Sequence, residues 1–117
     1  MNLPDAIEHF LSKAGALETT PFGPDVLVYK VGEKMFALAV PDEFPARINL
    51  KCDPERALLL RDEHETIIPG YHMNKRHWNT LILDGSLPVN LVRELIDHSY
   101  ALVVASLPKS RLPNNAK

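Results

Sequence analysis

Nine residues carry the densest chemistry in the chain: Tyr71-His72-Met73-Asn74-Lys75-Arg76-His77-Trp78-Asn79. They gather two cations, two histidines, two asparagines and two aromatic rings between a Pro69-Gly70 turn and Thr80. Stacking surfaces interleaved with phosphate-seeking cations and bidentate amides are what nucleic-acid contact needs. In an ordinary globular domain the same string would put Trp78 and Met73 in the core, Lys75 and Arg76 on a solvated turn, and two incidental histidines beside them. Basic clusters this short are weak patterns, and the residues alone leave both readings open.

Other chemistries find less to work with. His72 and His77 are five apart, a spacing that matches no helical ligand pair, and no cysteine or close carboxylate completes a metal set. Asp62 and His64 lie two apart on an expected helix and point in different directions. Cys52 falls on the inward side of an expected strand, where a lone cysteine acts as a small apolar filler. Ser86 follows Gly85 but lacks a strand–turn–helix elbow and a glycine two residues on. Glu18, Asp25, Asp42, Glu43, Glu63 and Glu65 have no marked acid–base partner, and no glycine-rich phosphate cradle exists. The expectation is a protein without catalytic constellation, metal or cofactor.

The totals set the frame. At 117 residues the chain is one domain long, with an apolar fraction of 45% and a charged fraction of 24% that are ordinary for a globular protein. Its net charge of −2 gives nucleic-acid binding no help from the total, which leaves only a local patch. One cysteine excludes an internal disulfide. Met1-Asn2-Leu3-Pro4-Asp5 has neither the basic nor the apolar stretch of a leader, and no apolar run is long enough for a membrane span. The expectation is a soluble, cytoplasmic protein.

The elements that must position the dense stretch can be read next. Leu3, Ala6, Ile7, Phe10, Leu11 and Ala14 recur at helical spacing, with Asn2 as N-cap and Gly15 as stop. Thr19–Asp25, with Pro21, Gly23 and Pro24, reads as loop. Residues 26–31 and 34–40 are β-favouring runs joined by Gly32-Glu33, which predicts a hairpin with a type II′ turn. Tyr29 and Phe36 are then cross-strand neighbours over the core, and Lys30 and Lys34 lie near the tip. Arg47-Ile48-Asn49-Leu50-Lys51-Cys52 alternates strictly, so Ile48, Leu50 and Cys52 face in while Arg47, Asn49 and Lys51 face out. Asp53-Pro54-Glu55 opens a helix to about His64. Ile67–Pro69 is a short apolar piece, residues 77–83 a strand, and residues 88–108 a long amphipathic helix. The sum is a single domain over 1–108 with a frayed tail over 109–117. Its class is α+β, an antiparallel sheet packed against helices.

Four motifs resemble the MmcQ/YjbR family of small bacterial proteins: Pro21–Asp25, the Lys30–Ala37 hairpin, Asn49–Pro54, and Pro69–Thr80, joined by Leu95–Tyr100 in the last helix. The resemblance runs from about residue 3 to residue 108 with the motifs in order. It implies a CyaY-like (frataxin-like) arrangement whose β-hairpins are described as a double wing, and a DNA-binding label that rests mainly on that shape. Residue by residue, the family pattern falls on Tyr71, His72, Asn74, Lys75, His77, Trp78 and Asn79, with Asn49, Lys51 and Asp53. The iron role of frataxins does not follow, because Asp5 and Glu8 alone make no acidic ridge on the first helix.

The leading expectation is a monomeric DNA-binding module in which Lys75 and Arg76, joined by Arg47 and Lys51, meet phosphates while Trp78 or Tyr71 stacks or packs beneath. The alternative is a non-catalytic module whose Asn49, Tyr71, His72, Asn74 and His77 line a pocket for a small polar ligand or a protein. Geometry discriminates between them. One continuous positive face uniting the four cations favours DNA, and a mixed-sign face sinks that phosphate-contacting reading.

Overall fold

Asn2 starts the first helix by accepting the Asp5 backbone N–H on its side chain at 2.9 Å, and Pro4 sits in the first turn, where its missing N–H costs nothing. The computed structural model describes residues 1–113. Along them run α1 (Leu3–Leu11), β1 (Leu17–Thr19), β2 (Leu27–Val31), β3 (Lys34–Val40), β4 (Arg47–Lys51), α2 (Pro54–Glu63), β5 (Ile67–Pro69), β6 (Trp78–Ile82), α3 (Val89–Ala105) and a 3-10 turn, Lys109–Arg111. The strands form one six-stranded sheet in the order β1-β2-β3-β4-β6-β5. Every pairing is antiparallel. The molecule is the α+β domain that the residue patterns predict. No described helix is long and apolar enough to cross a membrane.

All three helices pack on one face of the sheet. Ala6 and Phe10 of α1, Ala57 and Leu60 of α2, and Val92, Leu95, Ile96 and Val103 of α3 meet Tyr29, Val31, Phe36, Ile48, Leu50, Cys52 and Leu81. Ile48, Leu50 and Cys52 thus face the core as their alternation requires. The period of two sends Val28, Leu38 and Trp78 to the opposite face, where they form a second, smaller cluster with Val26, Met35 and Met73. No helix contributes to that cluster. It is roofed by chain from the loops, and this second face carries the candidate site.

Three local details depart from the sequence expectation. Leu17–Thr19 forms a short edge strand on β2, with the Thr19 hydroxyl donating to the Val28 carbonyl at 3.0 Å. Gly32 and Glu33 both take positive φ, 54° and 71°. That is the signature of a type I′ turn, since type II′ needs positive φ only at the first position. A bulge between Tyr29 and Lys30 takes Phe36 out of register, so Tyr29 opposes Ala37. Tyr29 and Phe36 meet through Phe10 instead, whose ring lies 4.8 Å from the first and 6.2 Å from the second. The Tyr29 hydroxyl donates to Glu18 at 2.7 Å, and burial followed by that bond holds its pKa far above the ordinary value.

The hairpin tip is not free. A Cβ on Gly32 would stand 2.6 Å from Leu107 and 2.8 Å from the Arg111 carbonyl, and Arg111 reaches Glu33 at 3.4 Å. The segment expected to fray from residue 109 therefore packs over the β2–β3 turn as far as Pro113, and residues 114–117 lie outside the described residues.

Four consecutive residues of α3 lock the remaining elements together. Asp97 accepts His9 at 2.7 Å and also takes Lys13, both from the α1 side. Burial would raise the Asp97 pKa, but the hydrogen bonds from Lys13 and His9 and the charge beside them outweigh it and hold it below the usual range. His98 Nε2 accepts the Asp53 N–H at 3.2 Å, at the start of α2. The buried Ser99 hydroxyl donates to the Phe36 carbonyl at 2.5 Å and accepts the Lys51 N–H at 2.9 Å, bridging β3 and β4 just past their last paired residues. Tyr100 donates to the Ala14 carbonyl at 2.6 Å. The Leu95–Tyr100 motif is thus structural.

His98 brings a pH dependence. Burial first, then the Arg56 charge, depresses its pKa below 6.5, against the opposing pull of Asp53 and Glu94. A histidine depressed in the folded state contributes stability that is complete above the unfolded value and lost as pH falls from there through the lower folded value. Protonating Nε2 also removes the acceptor for Asp53. Thermal unfolding should therefore show a stability decrement between about pH 7 and pH 5, and His98→Gln should flatten that decrement. An identical pH profile in the variant would show that His98 is not its source.

Candidate functional site

The dense stretch is a loop held at both ends by the sheet. At its start, the Gly70 N–H donates to the Trp78 carbonyl at 2.9 Å and the Tyr71 N–H to the Thr80 hydroxyl at 3.1 Å. Within it, Asn74 accepts the Arg76 N–H on its side chain at 3.0 Å and the His77 N–H on its carbonyl at 3.2 Å, closing a tight turn. At its end, the His77 carbonyl accepts the Cys52 N–H at 2.8 Å. His72 sits at φ 59°, in the left-handed region that histidine tolerates better than most side chains. Gly70 leaves no room for a side chain, since an added Cβ would meet the Trp78 Cβ at 2.8 Å and its carbonyl oxygen at 2.9 Å. Backbone cannot yield as a side-chain tip can, so Gly70→Ala should cost about 2 kcal/mol in a denaturant titration. An unchanged midpoint would show that the loop shifts freely.

The anchor of this loop is Arg61. From α2 its Nε donates to Asn79 Oδ1 at 2.7 Å, and its Nη2 reaches the Lys75 carbonyl and, at 3.4 Å, the Trp78 carbonyl. Asn79 in turn donates to the Ala57 carbonyl at 3.5 Å. Its presence was signalled by position: Arg61 stands four residues after Ala57 and one after Leu60, so it shares the inward stripe of α2. A cation there needs an internal partner.

The eleven candidate residues do not form one surface. Arg47, Asn49, Lys51, Tyr71 and His72 come together on the helix-free face. Tyr71 joins Phe44, Glu43 and Arg47 around a surface groove, and its ring lies 4.0 Å from that of His72. The Thr80 hydroxyl, whose oxygen accepts from Tyr71, donates to Asn49. Trp78 packs below at 8% exposure, beside Val28 and Leu38 with Met73 at the edge. Asn79 points the other way and is a positioning residue, 2% exposed, in the layer between β6 and α2. Lys75 and Arg76 wrap round the end of the sheet to the α2 side, where they share a groove with Pro54, Glu55, Leu58 and Arg61. His77 is partly buried where the loop rejoins the sheet beside Cys52.

The charges follow this division. Arg47 faces Glu43 at 3.4 Å, and Lys75 and Arg76 share their groove with Glu55. The cations are thus split into two sets with acids interspersed. Phe44, which the residue patterns did not single out, is 99% exposed, and Tyr71 is 59% exposed. Cys52 is buried in the core, and that burial raises its thiol pKa despite the nearby Arg56. Among the described residues no three His, Cys, Asp or Glu side chains gather at one point.

The geometry can be set beside known proteins. A family model described as YjbR matches residues 11–102, which include the whole sheet from β1 to β6 and most of α3. The chain belongs to the YjbR family. It is 34% identical over 111 residues to the Escherichia coli K12 protein called "Uncharacterized protein YjbR", covering 95% of this chain and 94% of that one. It is 43% identical over 89 residues to "Uncharacterized protein YbdF" of Escherichia coli O157:H7, covering 76% and 73%. The crystal structure of Deinococcus radiodurans protein DR2400 superposes with a TM-score of 0.89 at 38% identity, over 99% of this chain and 94% of that one. A crystal structure of a Pseudomonas syringae protein gives 0.77 at 31% identity, over 87% and 98%. In this YjbR-family chain the matched span contains both the Tyr71–Asn79 loop and the Arg61 that anchors it.

Proposed function

We propose that this YjbR-family protein is a non-catalytic DNA-binding module that takes single-stranded segments on the helix-free face of its sheet. The observation that carries the reading is the pair of exposed rings, Phe44 and Tyr71, which line one surface groove with Arg47, at the end of a row that continues along β4 through Asn49 to Lys51. Stacking on aromatic rings beside scattered cations suits unpaired bases, because every base has a π-face and needs little electrostatic help. The DNA-binding label carried by the resemblance supports the same class of partner.

Duplex DNA is less well served. Its major groove admits a helix or a two-stranded ribbon, whereas the rings sit on a broad sheet and the β2–β3 tip lies under the C-terminal segment. The face is mixed in sign, broken by Glu43 and Glu55, so the phosphate-led mode expected from the residues fails its own discriminator, and only a stacking-led mode remains. The compact-ligand reading has less support, since Asn49 and Asn74 already spend their carbonyl oxygens on Thr80 and on the Arg76 N–H. Anisotropy titration of matched single-stranded and duplex oligonucleotides tests the proposal. Preferential single-strand binding supports it, and no saturable binding of either form ends it.

A further inference from the structure

Asn49 reaches the helix-free face with only half of its amide in use. β4 turns Ile48 and Leu50 into the core and leaves Asn49 partly buried on the other side, between Arg47 and Lys51 and directly across from Thr80. The Thr80 hydroxyl oxygen receives the Tyr71 N–H at 3.1 Å, and the hydroxyl proton goes to Asn49 Oδ1. This chain of bonds fixes which end of the amide points where. Turned over, the amide would aim a second donor at Thr80 Oγ1. The proton of that hydroxyl, on a residue 1% exposed, would then have no acceptor. Among the described residues nothing bonds Asn49 Nδ2, and no unpartnered side-chain nitrogen or oxygen is buried. The two Nδ2 protons therefore open to solvent.

We propose that Asn49 selects among the bases that the aromatic pair holds, favouring the keto bases guanine and thymine over adenine. The inference rests on the single-strand reading of the same face and adds to it a preference among bases. An asparagine with a free amide reads adenine, accepting from N6 on its oxygen while donating to N7. Here Thr80 has taken the oxygen, so only donors remain. An adenine edge would set its own N6 amino group against them. Guanine offers N7 and O6, and thymine offers O4, all of them acceptors. The amide stands where a stacked base can meet it. It is two hydrogen bonds from the Tyr71 backbone, and two residues, about 7 Å, along β4 from the Arg47 that lines the groove with both rings.

Anisotropy titration of oligo(dT) and oligo(dA) of equal length at one salt concentration tests this. The intact chain should bind oligo(dT) about fivefold or more tightly than oligo(dA), the worth of one hydrogen bond made against one donor left facing a donor. Adenine tracts also stack on themselves, so the change of this ratio in variants decides. Asn49→Asp keeps an oxygen for the Thr80 proton and turns the donor end into an acceptor, which should lower the ratio about fivefold or more. Its added charge weakens both affinities alike and cancels in the ratio. Asn49→Ala, which adds no charge, should lower the ratio by about threefold or more. Equal affinity of the intact chain for the two oligonucleotides, or a ratio that neither variant changes, would overturn the proposal and leave the single-strand reading standing. No saturable binding of either oligonucleotide by the intact chain would end both.

Discussion

Arg61→Ala should lower the stability of the domain by about 3 kcal/mol, from three losses that share one side chain. The change strips the Asn79 side chain of its charged donor at 2.7 Å while leaving that amide 2% exposed, with its oxygen unsatisfied. It also frees the Lys75 and Trp78 carbonyls that Nη2 holds. For a domain of this size the loss corresponds to a fall of roughly 10–15 °C in Tm. Arg61→Lys should recover little, because a single ammonium cannot replace a planar fork that reaches three oxygens in fixed directions. The chemical shifts of residues 70–77 should move furthest in either variant. A fall in Tm below a few degrees, or shifts confined to α2, would mean that the loop is positioned by its own turn.

Tyr71→Ala combined with Phe44→Ala should weaken single-strand binding by about 10- to 100-fold or more, since a stacked base is worth about 1–3 kcal/mol. Both rings are largely exposed, so the double variant should keep its Tm within about 2 °C. Lys75→Ala/Arg76→Ala should change single-strand affinity by less than about threefold, since these side chains lie on the α2 side of the sheet end. The contrast separates the two parts of the dense stretch. If the cation pair mattered more than the ring pair, binding would run through phosphates on the loop's other flank.

Much of the fold is legible in the residues because its signals are local. Asn2 and Asp53 are N-caps with a proline just inside each helix, and both side chains accept the N–H three residues on, Asp5 and Arg56. Arg47–Cys52 alternates cleanly because β4 has a buried face and a partly open one. Leu17–Thr19 gave no such signal, since three residues paired on one edge need no pattern. The Gly32-Glu33 turn shows one glycine where a type I′ turn wants two permissive residues, and Glu33 is instead held from outside by Arg111.

The site was only half legible, for a physical reason. In β6, Trp78, Asn79, Thr80 and Leu81 are all buried, because loop residues roof one face and α2 covers the other. With both faces covered, alternation disappears, and nothing in the string says that Asn79 turns away from Trp78. How residues 70–77 wrap the end of the sheet depends on Arg61, which is nine residues before Gly70. The bonds from its Nη2 to the Lys75 and Trp78 carbonyls join elements that no local pattern connects. Phe44 carries no signal in the string, because a lone aromatic in a proline-broken loop means nothing until Tyr71 lines the same groove.

The central claim is tested most directly by the salt dependence of single-strand affinity in the intact chain. Arg47 and Lys51, with Lys30 on the same face of β2, predict a slope of log K against log salt near −2, three phosphates at about 0.7 each. Beneath it should lie a residual affinity that high salt does not remove and that Tyr71→Ala does. A slope near −3.6 on duplex DNA, the value for four phosphates at about 0.9 each, combined with tighter duplex binding and loss on Lys75→Ala/Arg76→Ala, would contradict the account.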